Sequence, residues 1–401
     1  MKYLWIGMGI SPEQKEQIIK NGGKILSANV SQDAILDGLE QNGVFCDTIN
    51  TYGLSSYPRY KEKHIPEYNW TRNGITVDKS VGYPNYKYIS HYFKSREITK
   101  ACRAWAQAHK NEQTTIFIYS MHSPFLDGAV AAKKHMQNAK IVLIVPDLPQ
   151  YMDLAMSPLK KFLKALDWQK IKSKIKHVDK FILYSKHMAD FLDLKEGTWT
   201  VMEGSFDLSS LVEETVEKNE DKISIMYSGV VDMRYGIPQL LDAMQLLDDR
   251  FELWLTGGGN AAGFIKERAL RDKRIRYFGF LPSRKDLLLK QKEATMLIST
   301  RRPDEPASAF CFPSKLFEYM ISGNPVLSCR IKGIPEEYFD YLIEMKSTEP
   351  AEIAKAIQQV ADMSSAARKE RGEAGKQFVL KEKNNVVQAE KILAFVNEVI
   401  E

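Results

Sequence analysis

At 401 residues, 44% of them apolar and 27% charged, the chain can bury two full cores and is too apolar for a disordered segment. No apolar run approaches the roughly 18 residues of a membrane span, and the four cysteines (Cys46, Cys102, Cys311, Cys329) show neither metal-ligand spacing nor a disulfide framework. No secretory leader pattern is visible, so a cytoplasmic protein is expected. The first 200 residues carry 28 Lys/Arg against 19 Asp/Glu and the rest 28 against 32, which points to an anionic surface or substrate on the first half. No nucleic-acid module is recognisable, and nucleic acid is not an expected partner.

In chain order, Tyr3 to Gly9 reads as a first strand. Asn21-Gly22-Gly23 follows, either a plain turn or a place where backbone amides approach a ligand. Ala28 to Leu39 has helical periodicity and Val44 to Ile49 reads as a strand. Tyr52 to Phe93 is crowded with aromatic residues, for which core and loop packing is expected ahead of sugar stacking or a lipid interface. Thr115 to Ser120 and Lys140 to Val145 are apolar strands flanking a helical stretch from Leu126 to Gln137. That order predicts a parallel sheet, with its binding crevice at the C-terminal strand ends. His122-Ser123-Pro124 and Pro146-Asp147-Leu148-Pro149 sit at two of those ends.

From Ser157 to Ile175, Leu159, Phe162, Leu163, Leu166, Ile171 and Ile175 recur at helical spacing, with seven lysines between Lys160 and Lys176 beside them. Such a helix either lies on an anionic membrane surface or packs on the core and solvates a basic face. Strands are predicted at Phe181 to Ser185 and Trp199 to Met202, and the polar Glu213 to Asp221 reads as a linker. Ile223 to Tyr227, Phe251 to Leu255, Ile275 to Phe278 and Met296 to Thr300 are further strands. They run into Ser228-Gly229, Thr256-Gly257-Gly258-Gly259, Gly279-Phe280-Leu281-Pro282 and the polar RRPDEPASA. Asn385 to Ile400 is a closing helix with one apolar face.

The stretch Phe310 to Ser328, FCFPSKLFEYMISGNPVLS, organises the second half. Pro313 suits a first helical position and Gly323 a helix stop, so a helix is predicted from Pro313 to Ser322, then a strand from Pro325 to Ser328. Leu316, Phe317 and Met320 face the core, while Ser314 and Glu318 share another face. Amides near Ser314 and Lys315 offer a seat for phosphate. Glu318 lies about 6 Å further along the axis, either reaching a ribose or simply solvated.

PSKLFEYMISGNPV resembles the donor-binding helix of the retaining glycosyltransferases of family 4, of the bacterial polysaccharide-biosynthesis type. The resemblance implies the GT-B fold: α/β, two Rossmann-like domains with a cleft between them. Residues 1–208 would take the acceptor, 209–380 the nucleotide-sugar, and 381–401 would form a helix packing back on the first domain. In that family a Glu-x7-Glu pair touches the donor; Glu318 falls on the second position, the ribose contact, but Phe310 replaces the first. Asp304 or Glu305 would have to reach the sugar instead. Gly22, Gly23, Gly229, Gly257, Gly258, the backbone of Phe280 and Leu281, and Pro313, Ser314, Lys315 and Leu316 are the implied donor contacts. Arg234, with Tyr235 where lysine is usual, and Lys315 are the implied cations for the leaving diphosphate. Pro146 stands where many members carry a histidine, which leaves Asp147 and His122 to assist the acceptor hydroxyl. The expected activity is transfer from a UDP-sugar to a glycan or lipid-linked acceptor at an anionic membrane surface, with no metal or cofactor. A nucleotide-sugar epimerase or a non-catalytic partner subunit of the same fold are the alternatives.

Overall fold

The computed structural model describes residues 1–151, 157–219 and 221–398 and divides into two compact units. The first spans Met1–Glu203 and takes in the chain from Asn385 onward; the second spans Gly204–Asn384.

The strands of the first unit are β1 (Lys2–Gly7), β2 (Asp47–Asn50), β3 (His64–Ile65), β4 (Tyr68–Trp70), β5 (Asp78–Ser80), β6 (Tyr83–Pro84), β7 (Thr114–Tyr119), β8 (Ala139–Val145), β9 (Lys180–Leu183) and β10 (Trp199–Val201). Eight of them form one sheet in the order β10-β9-β8-β7-β1-β2-β5-β4, parallel except for the β4–β5 edge, while β3 and β6 form a small ribbon. β7 and the second half of β8 are wholly buried, the mark of a central parallel strand covered on both faces. The helices are α1 (Pro12–Lys20), α2 (Ser27–Gln41), α3 (Ser90–Ala108), α4 (Ser123–Lys133), α5 (Pro158–Ile175) and α6 (His187–Phe191). Ser11 caps α1 and Ser157 caps α5 through their hydroxyls, each followed by proline at the first helical position. Buried amides pin the loop after β1: Gln32 Oε1 accepts from the Met8 N–H (2.9 Å) and Asn50 Oδ1 from the Gly9 N–H (2.7 Å).

In the second unit β11 (Ile223–Ser228), β12 (Phe251–Thr256), β13 (Ile275–Gly279), β14 (Met296–Ser299), β15 (Val326–Cys329) and β16 (Ile343–Met345) form a wholly parallel sheet in the order β13-β12-β11-β14-β15-β16. Its helices are α7 (Ile237–Ala243), α8 (Ala262–Arg271), α9 (Arg284–Glu293), α10 (Lys315–Ile321), α11 (Pro350–Ala361) and α12 (Ser365–Glu382). In both units strand order reverses beside the first strand, the arrangement that opens a crevice at the C-terminal strand ends.

Several expectations change. Helix α10 begins at Lys315, because Pro313 and Ser314 form a turn whose carbonyls accept from Leu316 N (2.8 Å) and Phe317 N (3.2 Å). The expected linker at Glu213 to Asp221 is stapled to α9: Lys285 pairs with the Glu214 carboxylate (2.5 Å) and Lys292 donates to its carbonyl (3.0 Å). Helix α3, which the sequence reading did not give, starts at the end of the aromatic stretch and continues beyond it. Of the aromatic residues, Tyr52, Tyr60 and Tyr83 form a small buried cluster with Ile10, Ile18 and Ile65, whereas Tyr88 and Tyr92 are exposed. On α5 Ile171 is buried and Ile175 half-buried, whereas Leu159, Phe162, Leu163 and Leu166 are exposed.

The closing helix α13 (Asn385–Asn397) packs on α2 within the first unit, and Asn42 Nδ2 donates to the Val386 carbonyl (3.0 Å). A Cβ on Gly38 of α2 would come within 2.1 Å of the Asn385 carbonyl oxygen. Alanine gains up to about 1 kcal/mol over glycine in an unobstructed helix. Overpacking costs about 1–3 kcal/mol. Gly38→Ala should therefore lower the urea midpoint of the first unit; a midpoint that rises would show that α13 does not sit on this glycine.

Candidate functional site

The second unit gathers its glycine turns at the ends of β11, β12 and β13. Gly229, just after β11, has φ +138°, and a Cβ there would lie 2.3 Å from Lys315 Cε, so the lysine side chain lies across bare backbone. Gly257, after β12, has φ +114°, and its Cβ would fall 1.8 Å from the Gly229 carbonyl oxygen. Only glycine lets the two turns nest this closely. Hydrogen bonds fix them in place: Gly229 N donates to Thr256 O (2.9 Å), Gly257 N to Gly279 O (2.6 Å) and Val231 N to Gly258 O (3.2 Å). The Phe280 ring lies against Gly258 and is otherwise 79% exposed, leaving one aromatic face open at the strand ends.

Helix α10 is fastened to the same turn. The Tyr319 hydroxyl donates to the Ser228 carbonyl (2.8 Å) and accepts from the Ser228 N–H (2.9 Å), while Leu316, Phe317 and Met320 are buried beneath. This grip lays Lys315 over Gly229. Burial holds the Lys315 ammonium below the ordinary lysine range; Glu318 opposes that shift and Arg284 adds to it. A positive group held against its own desolvation is a group that an anion would stabilise.

Glu318 is not free: Arg284, at the start of α9, pairs with its carboxylate at 3.2 Å. Arg234 is likewise engaged, its fork gripping Asp232 through Nε and a terminal nitrogen, both at 2.9 Å. Half of the Arg234 side chain remains exposed, so it stands at the rim with its charge largely matched. A further cation escaped the sequence reading. Arg301, two residues past β14, lies 4.5 Å over the Tyr235 ring and makes a weak contact to Cys311 Sγ at 3.8 Å. Tyr235 is the position at which the resemblance leads one to expect lysine, so a cation returns there from a different strand. The position of Arg301 directly after an apolar strand was the only signal. Phe310, Asp304 and Glu305 belong to the loop ahead of α10, where Asp304 pairs with Arg302 (2.6 Å).

The remaining candidates lie in the first unit. Gly22 and Gly23 close α1: their amides donate to Ile19 O (3.1 Å) and Ile18 O (2.8 Å), which leaves neither N–H for a phosphate. His122 follows β7 and stands at the N-cap of α4. Burial pushes its pKa down to about 4, and the charge of Lys94 adds to the effect. Neutral and weakly basic at neutral pH, His122 can donate or accept a hydrogen bond but is poorly matched to take a proton. Lys94, itself depressed to about 8 by burial, donates to the Tyr52 carbonyl (3.1 Å) and lies 4.6 Å over the Tyr83 ring. Asp147 is exposed after β8. Among the described residues no group of three or more His, Cys, Asp or Glu is placed to hold a metal ion.

Residues 222–363 match the protein family described as Glycosyl transferases group 1, a span that includes the glycine turns, Lys315 and Glu318. No curated protein matches the chain in sequence. Among solved structures, HepE of Anabaena in complex with UDP superposes with a TM-score of 0.66 at 12% identity, all of both chains being covered. Sucrose-phosphate synthase of Thermosynechococcus elongatus gives 0.67 at 16% identity over 98% of each chain. The lipopolysaccharide outer core galactosyltransferase WaaB gives 0.65 at 12% identity over 99% of each. The fold is accordingly that of the GT-B glycosyltransferases.

His122 gives a signed test. Its folded-state pKa of about 4 lies below the ordinary 6.5, so the unfolded chain binds the extra proton first and stability falls as pH drops from about 6.5 towards 4. The full shift corresponds to about 3 kcal/mol. Denaturation midpoints measured across that window should fall for the native chain and stay flatter for His122→Gln. Parallel pH profiles would mean that His122 is not buried as described.

Proposed function

We propose that this protein transfers a sugar from a nucleotide-sugar, most simply a UDP-sugar, to a glycan or lipid-linked acceptor, with retention at the anomeric carbon. The observation that carries the reading is the Lys315 ammonium laid over Gly229 at the nested glycine turns, inside the segment that matches the glycosyltransferase family. The UDP bound to HepE, and the study of transfer with retention on trehalose-6-phosphate synthase, support a UDP donor and a retaining course for the same fold.

On this reading the nucleotide occupies the strand ends of the second unit. The diphosphate takes the Lys315 ammonium and the Arg301 guanidinium, with Arg234 at the rim. Charge grows on the leaving diphosphate as the glycosidic bond breaks, so fixed cations there stabilise the transition state more than the ground state. The ribose hydroxyls displace Arg284 from Glu318, exchanging an ion pair for charge-assisted hydrogen bonds. The exposed face of Phe280 offers the base a stacking surface. No glutamate stands at the Phe310 position to hold the sugar, so donor selectivity rests on other groups, Asp304 and Glu305 being nearest in sequence. Attack on the face from which the diphosphate departs gives retention without an enzyme nucleophile. No metal or cofactor is assigned a role.

Two measurements test the reading. Titration calorimetry with UDP should show binding to the native chain and a loss of about 1.5–3 kcal/mol for Glu318→Ala, the worth of a hydrogen bond to a charged group. Unchanged affinity removes Glu318 from the ribose site. Lys315→Ala and Arg301→Ala should lower turnover, or acceptor-free hydrolysis of the donor, on the order of 100-fold while KM moves little. A rise in KM with turnover intact would make them binding residues, and epimerised nucleotide-sugar in the absence of acceptor would replace transfer by epimerisation.

A further inference from the structure

Three helices of the first unit leave a face that their own fold does not use. On α5, Leu159, Phe162, Leu163 and Leu166 are spaced as one stripe and are 53, 61, 40 and 53% exposed. Trp168 turns away from them towards Phe191, 6.1 Å between ring centroids. At the start of α3, Tyr88, Ile89 and Tyr92 are 49, 46 and 65% exposed. The two apolar groups are tied together where His91 of α3 reaches Asp167 of α5 at 3.2 Å, and both helices pack on α4. A clustered apolar surface of this kind, rimmed by charge, is uncommon on a chain that nothing covers.

Behind that apolar end the helices enclose an open groove of about 910 Å³ over α4. One face of α3 contributes Arg96, Lys100 and Arg103, α4 contributes Lys134, and α5 contributes Lys170 and Lys174. Lys170 and Lys174 continue the line of the α5 apolar stripe, eight residues at four-residue steps beyond Leu166. The only carboxylate lining the groove among the described residues is Asp127, which Lys170 and Lys174 already engage and which accepts from the Ser95 hydroxyl at 2.5 Å. Six cations around one carboxylate that is already paired make a site for a negative charge supplied from outside.

We infer that this face docks the protein on an anionic lipid bilayer: the Leu159–Leu166 stripe and the Tyr88–Tyr92 turn enter the interface, and the groove behind them receives lipid headgroup phosphates. Charge fits this occupant and opposes a second copy of the chain, since two copies of the same net-positive face repel each other. Tyrosines at the headgroup level and leucines below it match the polarity gradient of a bilayer edge. The inference deepens the reading of a lipid-linked acceptor and rests on it for its purpose, but not for its test. Among the described residues no helix is long and apolar enough to cross a membrane, so the contact is peripheral.

Sedimentation of the full chain with vesicles decides the matter. At low salt the native protein should pellet with mixed phosphatidylcholine–phosphatidylglycerol vesicles and stay in solution with pure phosphatidylcholine, and high salt should release it. Each groove cation removed should weaken binding about fivefold, so Lys100→Gln with Arg103→Gln should lose about 25-fold. Phe162→Ser with Leu166→Ser should abolish pelleting by removing the inserted stripe. All four positions are exposed, so folding should survive, and UDP calorimetry on the same variants checks it. Failure of the native chain to pellet with anionic vesicles, native-like pelleting by the groove variant, or a dimer in solution dispersed by Phe162→Ser would each overturn the inference. Vesicle binding without UDP binding would instead sink the transfer reading and leave this one standing.

Discussion

The second unit depends on one close approach: the Gly229 carbonyl lodged against Gly257, with Lys315 lying across the Gly229 backbone. A side chain at Gly257 would part the turns and one at Gly229 would displace Lys315, and both glycines have backbone angles that other residues avoid. The nesting brings the ends of β11, β12 and β13 to one level, and Tyr319 fastens α10 there through both hydrogen-bonding groups of Ser228. A lysine on the first turn of α10 then has nowhere to extend except over the glycine. The proposed seat for the diphosphate is thus made of backbone geometry first and of charge second.

The charges around that seat are held in reserve. Glu318 is covered by Arg284 and Arg234 by Asp232, so two of the groups with the clearest roles in the proposed function are paired in the ligand-free chain. Lys315 and Arg301 differ, since among the described residues neither has a carboxylate within ion-pair distance. On the proposed function a nucleotide diphosphate would meet these two directly, while its ribose would compete with an existing pair. That difference sets the expected pattern of effects: removal of the unpaired cations acts on charge development, and removal of Glu318 acts on binding.

The first unit shows a different economy. Its crevice end holds a neutral histidine near the half-buried Lys94, and its outer helices carry both the exposed apolar stripe and the cationic groove. The excess of basic residues counted over the first 200 positions is therefore not spread evenly; a substantial part lines one groove between α3, α4 and α5.

Much of this was legible in the sequence. Short β-branched apolar runs such as TIFIY and IVLIV read as buried strands, because periodicity and side-chain shape act over a few residues. The helix PSKLFEY was legible to within two residues, Pro313 and Ser314 falling in a turn ahead of it. Other contacts appeared only in three dimensions: Arg301 over Tyr235, Arg284 on Glu318, the amides of Gly22 and Gly23 used up in a helix cap, and Gly38 beneath α13. The apolar stripe of α5 allowed two readings in the sequence, and it is the packing that leaves Leu159, Phe162, Leu163 and Leu166 exposed. The physical reason is the same in each case. Local pattern fixes which segments become strands and helices, whereas the order of strands in a sheet decides which side chains, distant in sequence, come to share a strand end or a groove.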